Sequence, residues 1–221
     1  PVAVWTEKRA ARARSPQEVR GIFQGRKGRP MRIVGGEWKG RPIEAPEGRD
    51  VTRPTTDRVR EAVSSMILSA RGLSLECSRA LDAFAGSGAL GLEMLSRGAS
   101  WCMFVDLDRD ACARVRRNAA SLGADPMRYN VVRGDSARLA AGGRVAGAPF
   151  DIVLLDPPYA TEATAVAAFV ESLDSAGLLT EDAIILYERG SNRPTIEPAG
   201  FVPLKQKRYG HTSVDLLGRD K

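Results

Sequence analysis

Two hydrophobic periods alternate along the chain. In TTDRVREAVSSMILSA (55–70) the apolar residues Val59, Ala62, Val63, Met66, Ile67 and Ala70 recur at steps of three and four, and Thr56 or Asp57 stands where a cap is needed. This spacing predicts a helix with one buried face. Downstream, short apolar runs predict strands over 79–85, 100–106, 129–135, 150–156 and 183–189. Helical patterns separate them at ALGLEMLSRG, RDACARVRRNAASLG and 162–175. A near-continuous run such as IVLL (152–155) suits a strand covered on both faces. The tail, FVPLKQKRYGHTSVDLL, predicts two strands around a turn at Tyr209-Gly210. The expected fold is α/β, a doubly wound and mostly parallel sheet with an antiparallel C-terminal hairpin. Upstream, RIVGGEWKGRPIE (32–44) predicts a small β-hairpin around glycine turns. The expected division is 31–54 for hairpin and loop and 55–221 for the main domain, with the Ala/Gly-rich stretch 140–149 a surface connection.

Charge sets residues 1–30 apart. The formal net charge is +6, and this stretch carries all of it, with eight Lys/Arg against Glu7 and Glu18. It has weak apolar periodicity and begins with Pro, and it reads as a disordered basic extension or a remnant of an over-long start assignment. A basic arm that touches RNA and a transit peptide are the other readings. The rest of the chain is balanced in charge, so the pI near 9.6 does not by itself assign a nucleic-acid partner. Three cysteines without CxxC spacing and one histidine, His211, argue against a metal centre and for reduced thiols in a cytoplasmic setting. No apolar run reaches the roughly 20 residues of a membrane span, and a monomer is expected.

Between the first predicted strand and its helix, DAFAGSGALG places Gly86, Gly88 and Gly91 as GxGxxG. Glycine lets the backbone turn sharply toward a ligand, and the helix start offers free N–H groups. Asp106 follows Gly86 by twenty residues at the end of the second strand, where a carboxylate meets ribose hydroxyls. A nicotinamide dinucleotide and S-adenosylmethionine both fit these features. Acids at four strand ends (Asp82, Asp106, Asp135, Asp156) favour S-adenosylmethionine, because a pyrophosphate is repelled by so many carboxylates.

The fourth strand ends in DPPY (156–159). A base's exocyclic amine is a weak nucleophile with its lone pair delocalised into the ring. If such an amine meets the end of this strand, the Asp156 carboxylate and the Pro157 carbonyl each accept one N–H and turn that lone pair out of the ring plane; the other reading is a rigid turn that caps a buried strand. Pro157 and Pro158 fix φ and present no competing N–H. Tyr159 stacks on the base, worth roughly 1–3 kcal/mol. Orientation supplies most of the rate enhancement.

DPPY resembles the [DNS]PP[YFW] motif of class I, S-adenosylmethionine-dependent methyltransferases that act on exocyclic amines. RIVGGEWKGRPI, RPTTDRVREAV, LDAFAGSGALGLEMLSRGA and LLDPPY together resemble the bacterial 16S ribosomal RNA (guanine-966)-N2 methyltransferases. The resemblance runs from about Met31 to Leu217. It implies a Rossmann-like fold and methylation of guanine 966 on the 30S subunit or a precursor. Asp82, Phe84, Gly86, Ser87, Gly88, Asp106, Asp135 and Ser136 become the expected cofactor contacts. The methionine end of the cofactor is assigned to the glycine turn, its ribose to Asp106 and its adenine amine to Asp135. The family more often carries Glu where this chain has Asp106. An adenine-N6 or DNA-directed methyltransferase, and a non-catalytic ribosome-assembly factor, are the alternatives.

For RNA contact the N-terminal unit supplies Arg32, Lys39, Arg41, Arg53, Thr55, Arg58 and Arg60, with phosphate positioning as the expected role. Arg53 and Thr55 also read as part of a lid over the cofactor. Trp38 reads as packing, and Lys205, Lys207, Arg208, Tyr209 and His211 as a basic-aromatic edge.

Overall fold

Among the described residues, seven strands form one sheet in the order β3-β2-β1-β4-β5-β7-β6. The structure, a computed structural model, describes residues 31–46, 57–143, 145–158 and 160–220. Helix α1 (Asp57–Ala70) precedes β1 (Arg79–Asp82), α2 (Ala89–Ser96), β2 (Trp101–Asp106), α3 (Arg109–Leu122) and β3 (Tyr129–Arg133). Then come α4 (Ser136–Ala141), β4 (Phe150–Leu155), α5 (Ala163–Ser175), β5 (Leu179–Gly190), β6 (Phe201–Tyr209) and β7 (Thr212–Arg219). Strands β1 to β5 run parallel, while β7 is antiparallel to both β5 and β6. This is a Rossmann-like, doubly wound α/β architecture with an antiparallel edge.

Strand alternation distributes the core over two faces. Cys102, Phe104, Ile152 and Leu154 meet α1, α2 and α3, while Met103, Val105, Val153 and Leu155 meet α4 and α5. Helix α3 is bounded as its sequence dictates: Asp108 caps its first turn through the Asp110 amide, and Gly123 ends it at φ 72°. Gly91 permits α2 to lie close on the sheet, since a Cβ there would stand 2.3 Å from the Phe104 ring.

The N-terminal segment is a short hairpin. The Ile33 amide donates to Arg41 and the Ile43 amide to Met31, with a single bridge between Arg32 and Pro42. Pro42 has no N–H to extend the ladder. Trp38 is buried at 3% exposure and is a packing residue. Two differences from the sequence reading stand out. Residues 136–141 form a helix too short for a periodic signal, and β1 stops at Asp82 three residues early, where the chain begins its glycine turn.

Candidate active site

The order of strands reverses between β1 and β4, and ligands of open α/β sheets bind beyond the carboxyl ends of strands at such a point. Register puts Asp82 level with Phe104 on β2 and Leu154 on β4. Asp106 and Asp156 therefore stand two residues further out on the strands flanking β1. Between them the chain turns through Gly86 (φ 55°) and Gly88 (φ 78°) into α2, a left-handed backbone that glycine adopts without strain.

Asp82 lies beneath that turn. It is 3% exposed and accepts the Gly91 amide at 3.0 Å. Burial raises its carboxyl to about 7, and the negative charges of Asp156 and Asp106 push in the same direction, against the Gly91 and Phe84 amides that lower it. Asp106 accepts the Gly86 amide at 2.8 Å and the Asp108 amide at 2.9 Å. It thus ties the end of β2 to the glycine turn, a role its spacing alone did not disclose. Asp135 caps α4 through the Ala137 amide at 2.9 Å, and the buried Ser136 hydroxyl donates to the Ala83 carbonyl. Phe84 meets Phe169 edge-on at 6.4 Å.

Asn118 also went unnoticed in the sequence. Its side-chain amide donates to the Ser87 carbonyl at 2.8 Å and the Glu44 carbonyl at 3.1 Å, and its oxygen accepts the Glu44 amide at 2.7 Å. One buried side chain therefore joins the glycine turn to the N-terminal hairpin. The signal was an asparagine on the apolar face of α3, in line with Ala111, Val115 and Leu122. Met31 reinforces this junction, its sulfur accepting the Ser87 hydroxyl at 3.5 Å.

Beyond β4, Asp156, Pro157 and Pro158 line a shallow cleft with Thr161, Tyr187, Glu188, Arg189, Gly190 and Arg193. Its far wall is rigid. Arg189 donates to Asp215 at 2.6 Å, and Asp215, fully buried, also accepts the Thr195 hydroxyl at 2.7 Å. Tyr159, Arg53 and Thr55 lie outside the described residues. A second depression, lined by Gly143, Val145, Ala148 and Pro149, lies at the opposite end of β4 from this chemistry.

The cations expected at the RNA surface divide. Lys39 and Arg58 are exposed. Arg32, half exposed, pairs with Asp57 at 2.7 Å. Arg41 directs its guanidinium at the last turn of α3, donating to the Leu122 carbonyl at 2.6 Å and to the Ser121 carbonyl, which favours the negative end of the helix dipole. Arg60 is not a surface residue. It is 2% exposed and donates to Asp57 at 2.6 Å and to the Arg32 carbonyl at 2.9 Å. Burial depresses its pKa, while Asp57, Glu93 and Glu188 hold it charged. Glu93, fully buried, accepts the Val34 amide and pairs with Arg97. These groups fasten the hairpin to α1 and α2.

Comparison with known proteins places this geometry. The family model described as conserved hypothetical protein 95 matches residues 31–218. Over 189 residues, 84% of this chain and 97% of the relative, the chain is 38% identical to the "Putative rRNA methyltransferase YlbH" of Bacillus subtilis. Over 192 residues, 86% of this chain and 90% of the relative, it is 33% identical to the ribosomal RNA small subunit methyltransferase D of Escherichia coli. The chain belongs to this methyltransferase family. Among solved structures, the "Putative methyltransferase yhhF" of Escherichia coli superposes at a TM-score of 0.70 with 32% identity, covering 86% of this chain and 98% of that one. The family's elements are therefore present here from the hairpin to β7. A more distant structure, SMU.776, "a putative methyltransferase complexed with SAH", shares the fold at a TM-score of 0.59 and 14% identity.

The residues present fit S-adenosylmethionine. Three carboxylates gather at the end of β1, one of them raised by its burial and further by the charge of the other two, a setting that a sulfonium and an ammonium group relieve. A Cβ on Gly86 would meet nothing nearer than the Phe84 carbonyl at 4.0 Å, so the turn lets a ligand approach its backbone.

Proposed function

We propose that this chain is an S-adenosylmethionine-dependent methyltransferase of small-subunit ribosomal RNA, acting on the exocyclic N2 amine of guanine 966 in the 30S subunit or its precursor. The observation that carries the reading is the glycine turn at β1 set between Asp106 on one flanking strand and Asp156-Pro157-Pro158 on the other. Gly86, Ser87, Gly88, Asp106, Asp135 and Ser136 would hold the cofactor, which supplies an electrophilic methyl group.

The chain's own residues perform the remaining work. Asp156 and the Pro157 carbonyl each accept one N–H of the guanine amine and direct its lone pair. Asp156 then takes the proton that the methylated amine releases, a smaller contribution than orientation. Tyr159 stacks on the base, which must leave its helix to reach the cleft. The fixed Arg189–Asp215 pair keeps the far wall in place. Lys39 and Arg58 meet phosphates, and Arg53 and Thr55 contact RNA or cover the cofactor.

The test is transfer of labelled methyl to 30S particles from a strain lacking this modification, followed by nucleoside mass spectrometry. N2-methylguanosine at one site is the expected product. Methylation of adenine or DNA instead would refute the assignment of the base, and cofactor binding without transfer to any substrate would refute catalysis. In the same assay Asp156→Ala abolishes transfer while keeping cofactor affinity.

A further inference from the structure

Among the described residues, strand β6 closes one edge of the sheet with β7 as its single neighbour. Residues 203–208 are all exposed, and 203–211 hold Lys205, Lys207, Arg208, Gln206, Tyr209 and His211 with no acid. Six arginines elsewhere, Arg32, Arg71, Arg97, Arg117, Arg189 and Arg219, each face a carboxylate. Among the described residues Lys205, Lys207 and Arg208 face none, and the Arg208 side chain donates only to the Gly210 carbonyl at 3.0 Å. Lys205 and Lys207 leave one face of β6 and Arg208, level with Ser213, leaves the other, so the three charges flank the edge of the strand, where a polyanion laid along it meets them all.

Register fixes where the edge leads. Lys205 pairs with Leu216, Lys207 with Val214 and Tyr209 with Thr212. Val214 and Thr212 pair in turn with Glu188 and Gly190, two residues of the cleft that holds Asp156 and Pro157. Two strand spacings, about 10 Å, therefore separate Lys207 from the cleft wall. Lys205 and Lys207 share the sheet face of Val214 and Leu216, the face against which Tyr209 and α1 pack, and α1 carries the exposed Arg58. Edge protection accounts for lysine on such a strand. It does not set the charges at the end of the edge that leads toward the cleft.

We propose that Lys205, Lys207 and Arg208 form a phosphate-binding strip that holds the RNA strand flanking the target nucleotide as it enters the cleft. This rests on the ribosomal RNA reading above and adds a second RNA surface to that of the hairpin. The contacts are with backbone phosphates and carry no base specificity.

The test compares wild type with K205Q/K207Q/R208Q, which keeps the edge polar, and with K205R/K207R/R208K, which keeps the charge. For 30S particles the glutamine variant raises KM about tenfold, leaving kcat and the affinity for S-adenosylhomocysteine unchanged. Its plot of log KM against log salt is shallower by about 2, as expected for three lost phosphate contacts on a single strand. The charge-keeping variant restores both. Wild-type KM and salt slope in the glutamine variant would overturn the proposal. So would weakened binding to particles with unchanged binding to protein-free 16S rRNA, which would make a ribosomal protein the partner. If wild type methylates neither particles nor rRNA, the functional reading fails separately. Filter binding of labelled 16S rRNA then still decides the strip: lower affinity in the glutamine variant supports it and equal affinity overturns it.

Discussion

The Asp106 carboxylate accepts the Gly86 amide at 2.8 Å, so the acid at the end of one strand holds the glycine turn at the end of the next. A hydrogen bond to a charged group contributes about 1.5–3 kcal/mol. Asp106→Ala loosens the turn and removes the proposed ribose acceptor together, and affinity for S-adenosylhomocysteine is expected to fall roughly ten- to a hundredfold. Calorimetry checks this, and an unmoved Kd would contradict both roles.

Asp82 links the site to pH. Its carboxyl is raised to about 7 in the folded protein, against an ordinary value near 4 when unfolded. Between those values the folded state keeps a proton that the unfolded chain has released. Stability therefore falls as pH rises from about 4 to 7, by at most about 1.4 kcal/mol per unit from this group, and levels off above. Asp82→Asn keeps an acceptor for the Gly91 amide and removes that slope. Urea unfolding across this range should show the mutant gaining on wild type as pH increases. Parallel curves would mean that Asp82 is ionised throughout.

Asn118→Ala leaves three backbone groups of Glu44 and Ser87 without their partner. The expected loss is about 2–3 kcal/mol of stability, with weaker cofactor binding because Ser87 belongs to the turn. A stability change below about 0.5 kcal/mol in chemical denaturation would show that the junction does not depend on this side chain.

Gly36 and Gly40 offer a controlled pair. Both have positive φ, 76° and 81°. A Cβ at Gly36 would lie 1.9 Å from the Ser96 carbonyl oxygen, whereas one at Gly40 meets nothing within 4 Å. Gly40→Ala costs about 1–2 kcal/mol for its backbone conformation alone. Gly36→Ala costs more and lifts the hairpin from α2, which thermal unfolding and protease resistance of the hairpin report. Equal effects would mean that the contact with Ser96 yields without loss.

The parallel sheet, its helices and the glycine turn were legible because each element has its own period and GxGxxG falls between a strand and a helix. The charged residues were not. Arg60 was read as surface, although on α1 it lies in line with Val63, Ser64 and Ile67. Its carboxylate neighbours include Glu93 and Glu188 from distant parts of the chain, and no local pattern reveals such a meeting. Arg41 likewise reaches carbonyls eighty residues away. Helix α4 escaped because six residues make fewer than two turns.

The position of β7 between β5 and β6 has a consequence for biosynthesis. A chain made from its N-terminus completes β6 before the strand that must join it to the sheet exists. Until residues 212–219 emerge, β5 presents an open edge rich in Ile and Leu, the kind of edge that recruits other chains. At ordinary translation speeds this interval is on the order of seconds. The nascent protein is thus most exposed to misassembly between the synthesis of β5 and that of β7, and the eight residues of β7 act as the latch that joins β6 to the sheet.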